Sequence, residues 1–415
     1  MRTPLGAAAA AIDSRLAALP RGLALEWPGG RAGPRAADVR LRLRDPGVLM
    51  PLARGCIGEL ADAYVRGRLE IEGSLHDVMA VAAELAGDPL GAAARPAWQR
   101  ALASLRARWL ARRRADAENV RFHYDLSDDF FALWLDPRRV YSCAYYRDPA
   151  MTLAQAQEAK LDHVCRKLQL GPGLRLLDVG AGWGGLLLWA ARHYGVRALG
   201  ITLSRNQHAH VNRLIDAQGL RGRVEMRLMD FRDLPLDEPF DRIASVGMFE
   251  HVGRARLPDY FERLAALLRP GGLVLNHGIT AGGLDNDQLG AGMGDYIEKY
   301  IFPGGELAHV SRVTECLSRG GLELVDAESL RPHYARTLWD WSDALEGRLE
   351  AARALVGEPT VRAYRLYLAG CAMSFEHGWL SLFQLLAARP DDGMSDPPMP
   401  GARSAFPFKR DYMYP

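Results

Sequence analysis

A chain of 415 residues, 48% hydrophobic and 25% charged, is too long for one small core and fits a globular protein of two domains. A formal net charge of +2 excludes wholesale attraction to nucleic acid, and five widely spaced cysteines with no C-x-x-C pair exclude a disulfide framework and a structural zinc site. The cysteine usage fits a reducing cytosol, Asp13 and Arg15 cut short the alanine run that might have begun a signal peptide, and no apolar run is long enough to span a membrane.

Residues 1 to about 37 carry Pro, Gly, Arg and Ala without periodicity, and read as a weakly ordered start. Val39 to Arg44 alternates strictly, so it is expected as a half-buried strand ended by Asp45-Pro46-Gly47. An amphipathic helix over 49–65 and a strand over 68–71 follow, and Ser74 is placed to cap a helix starting at Leu75. Together these make a small α+β module, the core of an expected first domain of residues 1–95. Trp98, Leu102, Leu105 and Trp109 then recur at helical spacing among five arginines. That basic linker, 96–119, reads first as a helix packed between domains and second as a surface for anionic lipid.

From 120 to 389 strand and helix alternate. Strands are expected at 174–179, 197–202, 223–229, 240–246 and 272–277, and helices at 184–194, 205–218 and 257–269. That order specifies a mostly parallel sheet with helices on both faces and a ligand site at the carboxyl ends of its strands. Helices at 308–318, 335–355 and 360–388 are expected to form a cap, and 390–415 a loose tail.

The run Leu176-Leu177-Asp178-Val179-Gly180-Ala181-Gly182-Trp183-Gly184-Gly185 is a strand, a tight turn and a helix start. Strand ends beyond it carry Thr202, Ser204 and Gln207, then Asp230 and Phe231. Singly, Thr202 or Asp230 is an ordinary cap or turn residue. Together they suit a nucleoside: a carboxylate for the exocyclic amine and a ring for the base. Without a G-x-x-x-x-G-K-[ST] lysine the loop holds no triphosphate, so an adenosyl group with little or no phosphate is expected.

These segments resemble the cyclopropane fatty-acyl-phospholipid synthase family, which includes the mycolic acid cyclopropane synthases. The resemblance covers about 120 to 385 and rests on His123 to Phe131, Tyr141 to Tyr145, Val179 to Gly185, Gly247 to Gly253 and Lys299 to Pro303. It implies an α/β class I methyltransferase-like (Rossmann-like) fold: a seven-stranded sheet with a helical cap, plus a small N-terminal α+β domain that docks on lipid. It implies S-adenosyl-L-methionine as cofactor, held by Tyr141, Ser142, Gly180, Gly182, Thr202, Gln207, Asp230 and Phe231. It also implies a bound bicarbonate held by Cys143, Glu250, His277, Ile279 and Tyr334, with Cys143 and Ile279 acting through backbone groups, and no metal.

The implied reaction is methylene transfer to a cis double bond of unsaturated phospholipid acyl chains. The alkene attacks the sulfonium methyl, and a base removes a proton from the resulting cation to close a cyclopropane ring. Such a site needs aromatic walls, one held base and no free water. Tyr124, Phe130, Phe131, Trp134, Tyr141, Tyr145 and Tyr146 are candidate walls, although Phe130 and Phe131 read better as plain core. Cys143 reads less well as a nucleophile, since no covalent enzyme intermediate is needed. The glycine-rich stretch 281–294 reads as a lid or as a slack loop. Location at the inner face of the cell membrane, no nucleic-acid partner and a possible homodimer complete the expectation. The alternatives are a lipid C-methyltransferase giving methylene- or methyl-branched chains, a non-enzymatic lipid-binding protein, and, more weakly, a small-molecule O- or N-methyltransferase.

Overall fold

A computed structural model describes residues 21–54, 56–86, 126–284, 293–301, 306–391, 406–407 and 409–414. The expected linker 96–119, Tyr124 and most of the glycine-rich stretch lie outside the described residues, as do Phe302 and Pro303.

Residues 21–86 form the expected α+β module, with one correction at its start. The stretch read as weakly ordered contains β1 (Leu23–Trp27) and β2 (Gly30–Ala32), paired antiparallel through a turn at Pro28-Gly29. β1 also pairs parallel with β3 (Val39–Leu43), whose Val39, Leu41 and Leu43 are buried as the alternation requires. β4 (Leu69–Glu72) closes this sheet. The expected helix over 49–65 comes as two, α1 (Leu49–Arg54) and α2 (Ile57–Val65). Ser74 caps α3 (Leu75–Ala86): its Oγ accepts from Asp77 N at 3.1 Å and donates to the Asp77 carboxylate at 2.6 Å.

The second region begins with α4 (Asp128–Ala132) and α5 (Leu153–Lys167), the latter started by a capping box of Thr152 and Gln155. Then come β5 (Arg175–Val179), α6 (Gly185–Tyr194), β6 (Arg197–Thr202), α7 (Arg205–Ala217), β7 (Val224–Leu228), β8 (Phe240–Val246), α8 (Leu257–Leu267) and β9 (Leu268–Ala281). The seven-stranded sheet has the order β10-β11-β9-β8-β5-β6-β7, with β10 at Glu323–Ser329 and β11 at Leu380–Ala388. β9, β8, β5, β6 and β7 run parallel, and β11 runs antiparallel to both its neighbours. One apolar layer, including Leu161, Val164, Leu187 and Val211, packs α5, α6 and α7 on one face. Another, including Tyr260, Phe261, Leu264 and Val313, packs α8 and α10 (Val310–Arg319) on the other.

The cap is α9 (Met293–Tyr300), α11 (Arg331–Glu346) and α12 (Leu349–Glu376), with α4 beside it. The helix expected over 360–388 is corrected here: α12 ends at Glu376, Gly378 takes φ 72°, and the chain turns into β11. β11 lies between β9 and β10, covered on both faces, so its run Leu-Ser-Leu-Phe-Gln-Leu-Leu-Ala-Ala carries no alternation to distinguish it from a helix. The end of the tail is not loose either. Met413 is fully buried, and its carbonyl oxygen lies 2.9 Å from His163 Nδ1.

The module and the cap share one core, which runs from Leu23 and Leu41 through Met79 to Tyr364, Leu368 and Phe375. Polar ties cross the same boundary. Arg362 donates to Glu70 at 2.9 Å and to Tyr64 O at 3.0 Å, and Asp62 accepts from Tyr300 Oη at 2.7 Å and from Lys299.

Candidate active site

A cavity of about 540 Å³ opens at the carboxyl ends of β5 to β8. All eight positions expected to hold the cofactor line it: Tyr141, Ser142, Gly180, Gly182, Thr202, Gln207, Asp230 and Phe231. The glycine turn works by shape. Gly180 and Gly182 take φ 77° and 56°, values a side chain disfavours, while the amides of Gly180 and Ala181 are spent on Ile201 O. At the next strand end, Thr202 Oγ1 donates to Gln207 Oε1 at 2.7 Å and accepts from Ser204 N at 3.1 Å. Ser204 in turn caps α7 by accepting from Gln207 N.

Asp230 is both a cap and a cavity residue. It accepts from Arg232 N at 2.9 Å and pairs with the Arg232 guanidinium at 2.7 Å. Burial alone would raise its carboxyl, but the Arg232 bonds hold it below the usual carboxylate range. Phe231 meets the Tyr260 ring edge-on at 5.6 Å. The donor set suits an adenosyl group: an acceptor and a ring at one end, and a wall the glycine turn leaves without side chains at the other.

Beyond Tyr141 and Trp183 the cavity gives way to a cluster of rings. Tyr141 lies 5.6 Å from Phe131, 5.3 Å from Trp134 and 5.3 Å from Trp341. Trp341 continues to Tyr334 at 6.1 Å, and Tyr334 to Phe375 at 4.8 Å. Trp183, from the glycine turn, packs on Phe131 at 5.0 Å and donates to Asp128 at 3.3 Å. Phe130 and Phe131 are fully buried, the plain core expected of them, and Phe131 also backs Tyr141. Two candidate walls belong elsewhere. Tyr145 stacks between His163 and His333, and Tyr146 bonds Asp340 under the Arg336 guanidinium.

Around the end of β9 sit the five residues expected to hold an anion. Glu250 Oε1 accepts from Ile279 N at 2.8 Å, so the Ile279 amide is spent on positioning Glu250. A Cβ on Gly278 would lie 2.1 Å from the Phe249 ring and 2.9 Å from Glu250 Oε1, so glycine is what leaves Glu250 its place. His277 pairs across the sheet with Gln384, whose Nε2 donates to His277 Nδ1 at 3.2 Å and leaves the ring proton on Nε2. Glu250 Oε2 and His277 Nε2 are both buried without a partner. Ile279 pairs with Leu382, Leu382 O accepts from Leu330 N, and Leu330 O accepts from Tyr334 N at 3.0 Å and lies 3.9 Å from Cys143 Sγ. Neighbouring strand ends thus place Glu250, Ile279, Tyr334 and Cys143 in one region, with His277 two residues before Ile279 on the same strand.

Burial raises the Glu250 carboxyl to about 7, against the pull of the Ile279 amide. It pushes His277 well below the usual imidazole range, so the ring is neutral. It pushes the Cys143 thiol far up, which rules out a resting thiolate nucleophile. An unpaired acceptor and an unpaired donor in a dry setting are what a small anion bearing its own hydroxyl satisfies.

Sequence reasoning missed Lys160, Trp341, Tyr367 and Gln384. Trp341 and Gln384 each stand opposite a residue more than a hundred positions away, so nothing local marks them. Lys160 carries a local signal: with Gln157 it places polar side chains on the buried face of a capped helix.

The mycolic acid cyclopropane synthetase family model matches residues 111–385. A protein of Pseudomonas putida named probable fatty acid methyltransferase is 45% identical over 391 residues, covering 94% of this chain and 95% of its own. The solved cyclopropane synthase MmaA2 from Mycobacterium tuberculosis superposes with a TM-score of 0.63 at 40% identity, over 66% of this chain and 98% of that one. The mycolic acid cyclopropane synthase CmaA1, solved in complex with SAH and CTAB, gives 0.62 at 40% identity over the same shares, 66% and 98%.

Proposed function

The chain belongs to the mycolic acid cyclopropane synthetase family of S-adenosylmethionine-dependent methyltransferases, and from that premise we propose that it transfers a methylene group to cis double bonds of phospholipid acyl chains, closing cyclopropane rings. What supports this reading is the presence in one domain of three parts: a cavity lined by all eight expected cofactor residues, a ring cluster that begins at Tyr141, and the unpaired Glu250 Oε2 and His277 Nε2.

When bound, S-adenosylmethionine supplies an electrophilic methyl group to the acyl double bond. Tyr141, Trp134, Trp341 and Tyr334 present ring faces to positive charge on the acyl chain and offer it nothing to bond with. Their packing also keeps out water, which would trap a cation. Bicarbonate fits the polar end: its hydroxyl matches Glu250 Oε2 as donor, and its oxygens match His277 Nε2–H as acceptors. There it supplies the base. Glu250, oriented by Ile279, and His277, oriented by Gln384, hold it; Tyr334 adds a hydroxyl, and Cys143 keeps its backbone beside them.

Residues 1–95 are the lipid-docking part of this reading, and the basic stretch 96–119 reaches anionic headgroups at the inner membrane face. In this reading docking is peripheral, and no helix among the described residues is long and apolar enough to cross a membrane.

A second reading has its own support. The relative that spans nearly the whole chain is named a fatty acid methyltransferase, which suits a methyl- or methylene-branched product. Incubating the protein with S-adenosylmethionine and monounsaturated phospholipid vesicles separates the two. Upfield cyclopropane signals in the proton spectrum of the extracted chains are expected. Downfield exocyclic-methylene signals or a branched methyl, without ring signals, would replace the first reading by the second. No adenosylhomocysteine release from vesicles, with release from a soluble acceptor, would remove the lipid substrate altogether.

A further inference from the structure

A buried ammonium is costly unless something anionic or strongly accepting meets it. Lys160 is 2% exposed, yet among the described residues no carboxylate forms an ion pair with it. Its Nζ donates to Ser142 Oγ at 2.8 Å, which uses one of three donors, and it lines the cofactor cavity. One turn earlier on α5, Gln157 Nε2 donates to Val140 O and Ser142 O, so one helix face fixes the whole Val140–Ser142 stretch. Because Ser142 Oγ accepts from Nζ, its own proton is free to point into the cavity.

The other cations lining the cavity are already engaged or lie at the adenine end. Arg139 faces Asp128 at 3.7 Å, Arg232 pairs with Asp230, Arg256 acts on the same Asp230 carboxylate, and Arg263 bonds the Arg232 carbonyl oxygen at 3.0 Å. Asp230 and Phe231 assign the adenine to the β7 end, which leaves the Tyr141–Ser142 end, beside the rings, for the amino-acid end of the cofactor.

We propose that Lys160 seats the carboxylate of the cofactor's amino-acid end, with Ser142 as the hydroxyl donor beside it. This rests on reading the cavity as the S-adenosylmethionine site. Asp178 lines the same cavity and acts on Lys160 through space without an ion pair; burial raises its carboxyl to about 7, opposed by Lys160. Burial lowers the Lys160 ammonium to about 8, opposed by the carboxyls of Asp136 and Asp178, so it is still cationic at neutral pH.

Calorimetric binding of S-adenosylhomocysteine and of its decarboxylated form tests this without turnover. Wild type is expected to prefer the carboxylate-bearing ligand by about 10- to 100-fold, the range of a charge-assisted hydrogen bond. Lys160→Met is expected to lose that preference by weakening only S-adenosylhomocysteine, and Lys160→Gln, polar but uncharged, to do the same. Equal weakening of both ligands would mark Lys160 as merely structural and overturn the proposal. Retained preference in Lys160→Gln would overturn it too. If wild type binds neither ligand, the cavity reading itself falls; if it binds both alike, only the role of Lys160 does.

Discussion

The cofactor cavity and the ring cluster beside it are built differently. In the cavity the deciding bonds are local: Thr202 to Gln207 spans five positions and Asp230 to Arg232 spans two. In and around the ring cluster they are remote: Tyr141 to Tyr367 spans 226 positions, Ala144 to Thr337 spans 193 and His277 to Gln384 spans 107. Consecutive strands make the first half almost by themselves. The second exists only when the cap is folded over the sheet, and the cap's core is continuous with the N-terminal module. Disturbing the cap therefore reaches the chemistry before it reaches cofactor binding.

The sharpest break between the halves is Glu250→Gln. Turnover is expected to fall by about 10²- to 10⁴-fold, the range for loss of acid–base assistance, while calorimetric affinity for S-adenosylhomocysteine stays within about threefold. Turnover at the wild-type rate would remove Glu250 from the chemistry. Tyr141→Leu comes next, because it takes one ring from the junction. A fall in kcat of roughly 10- to 30-fold is expected from lost cation stabilisation, larger than the change in cofactor affinity. The reverse order of effects would make Tyr141 a cofactor residue only.

Arg362→Met tests the coupling to the module. The Arg362–Glu70 pair is 14% and 23% exposed, so a loss of about 1–3 kcal/mol is expected by chemical denaturation, between exposed and buried pairs. Vesicle turnover is expected to drop with it, and cofactor affinity to hold. Deleting the first 90 residues is a blunter test, since it strips the apolar face of α12 as well as the part proposed to dock on lipid.

The smallest effect is on pH-dependent stability. Burial raises Glu250 from its ordinary 4.5 to about 7, so between those values the folded protein keeps a proton the unfolded chain has released. The stability tied to that proton is present near pH 5 and lost as pH rises through about 7. The Tm of Glu250→Gln relative to wild type is therefore expected to rise between pH 5 and 8; a flat difference would mean Glu250 is not buried as described.

The same contrast decided what the sequence disclosed. The parallel strands, the glycine turn and the polar strand ends announce themselves by periodicity and position, and each lies where it was expected. The ring cluster and the Glu250–His277 corner were legible only through the resemblance, because Trp341, Tyr367 and Gln384 have no partner nearby in sequence. Elsewhere, short or doubly covered strands gave no signal, and one local signal pointed at the cavity. β1 and β2 were hidden by their shortness among Pro and Gly, and β11 by burial on both faces. The Thr152–Gln155 capping box marked α5, and with it the inward-facing Gln157 and Lys160.

Turnover of unsaturated phospholipid vesicles in carbonate-free buffer, with and without added bicarbonate, bears most directly on the proposal that Glu250 and His277 hold this anion. Wild-type ring formation is expected to rise saturably with bicarbonate, and Glu250→Gln to show no such rise. Equal wild-type rates of ring formation with and without bicarbonate would contradict the assignment.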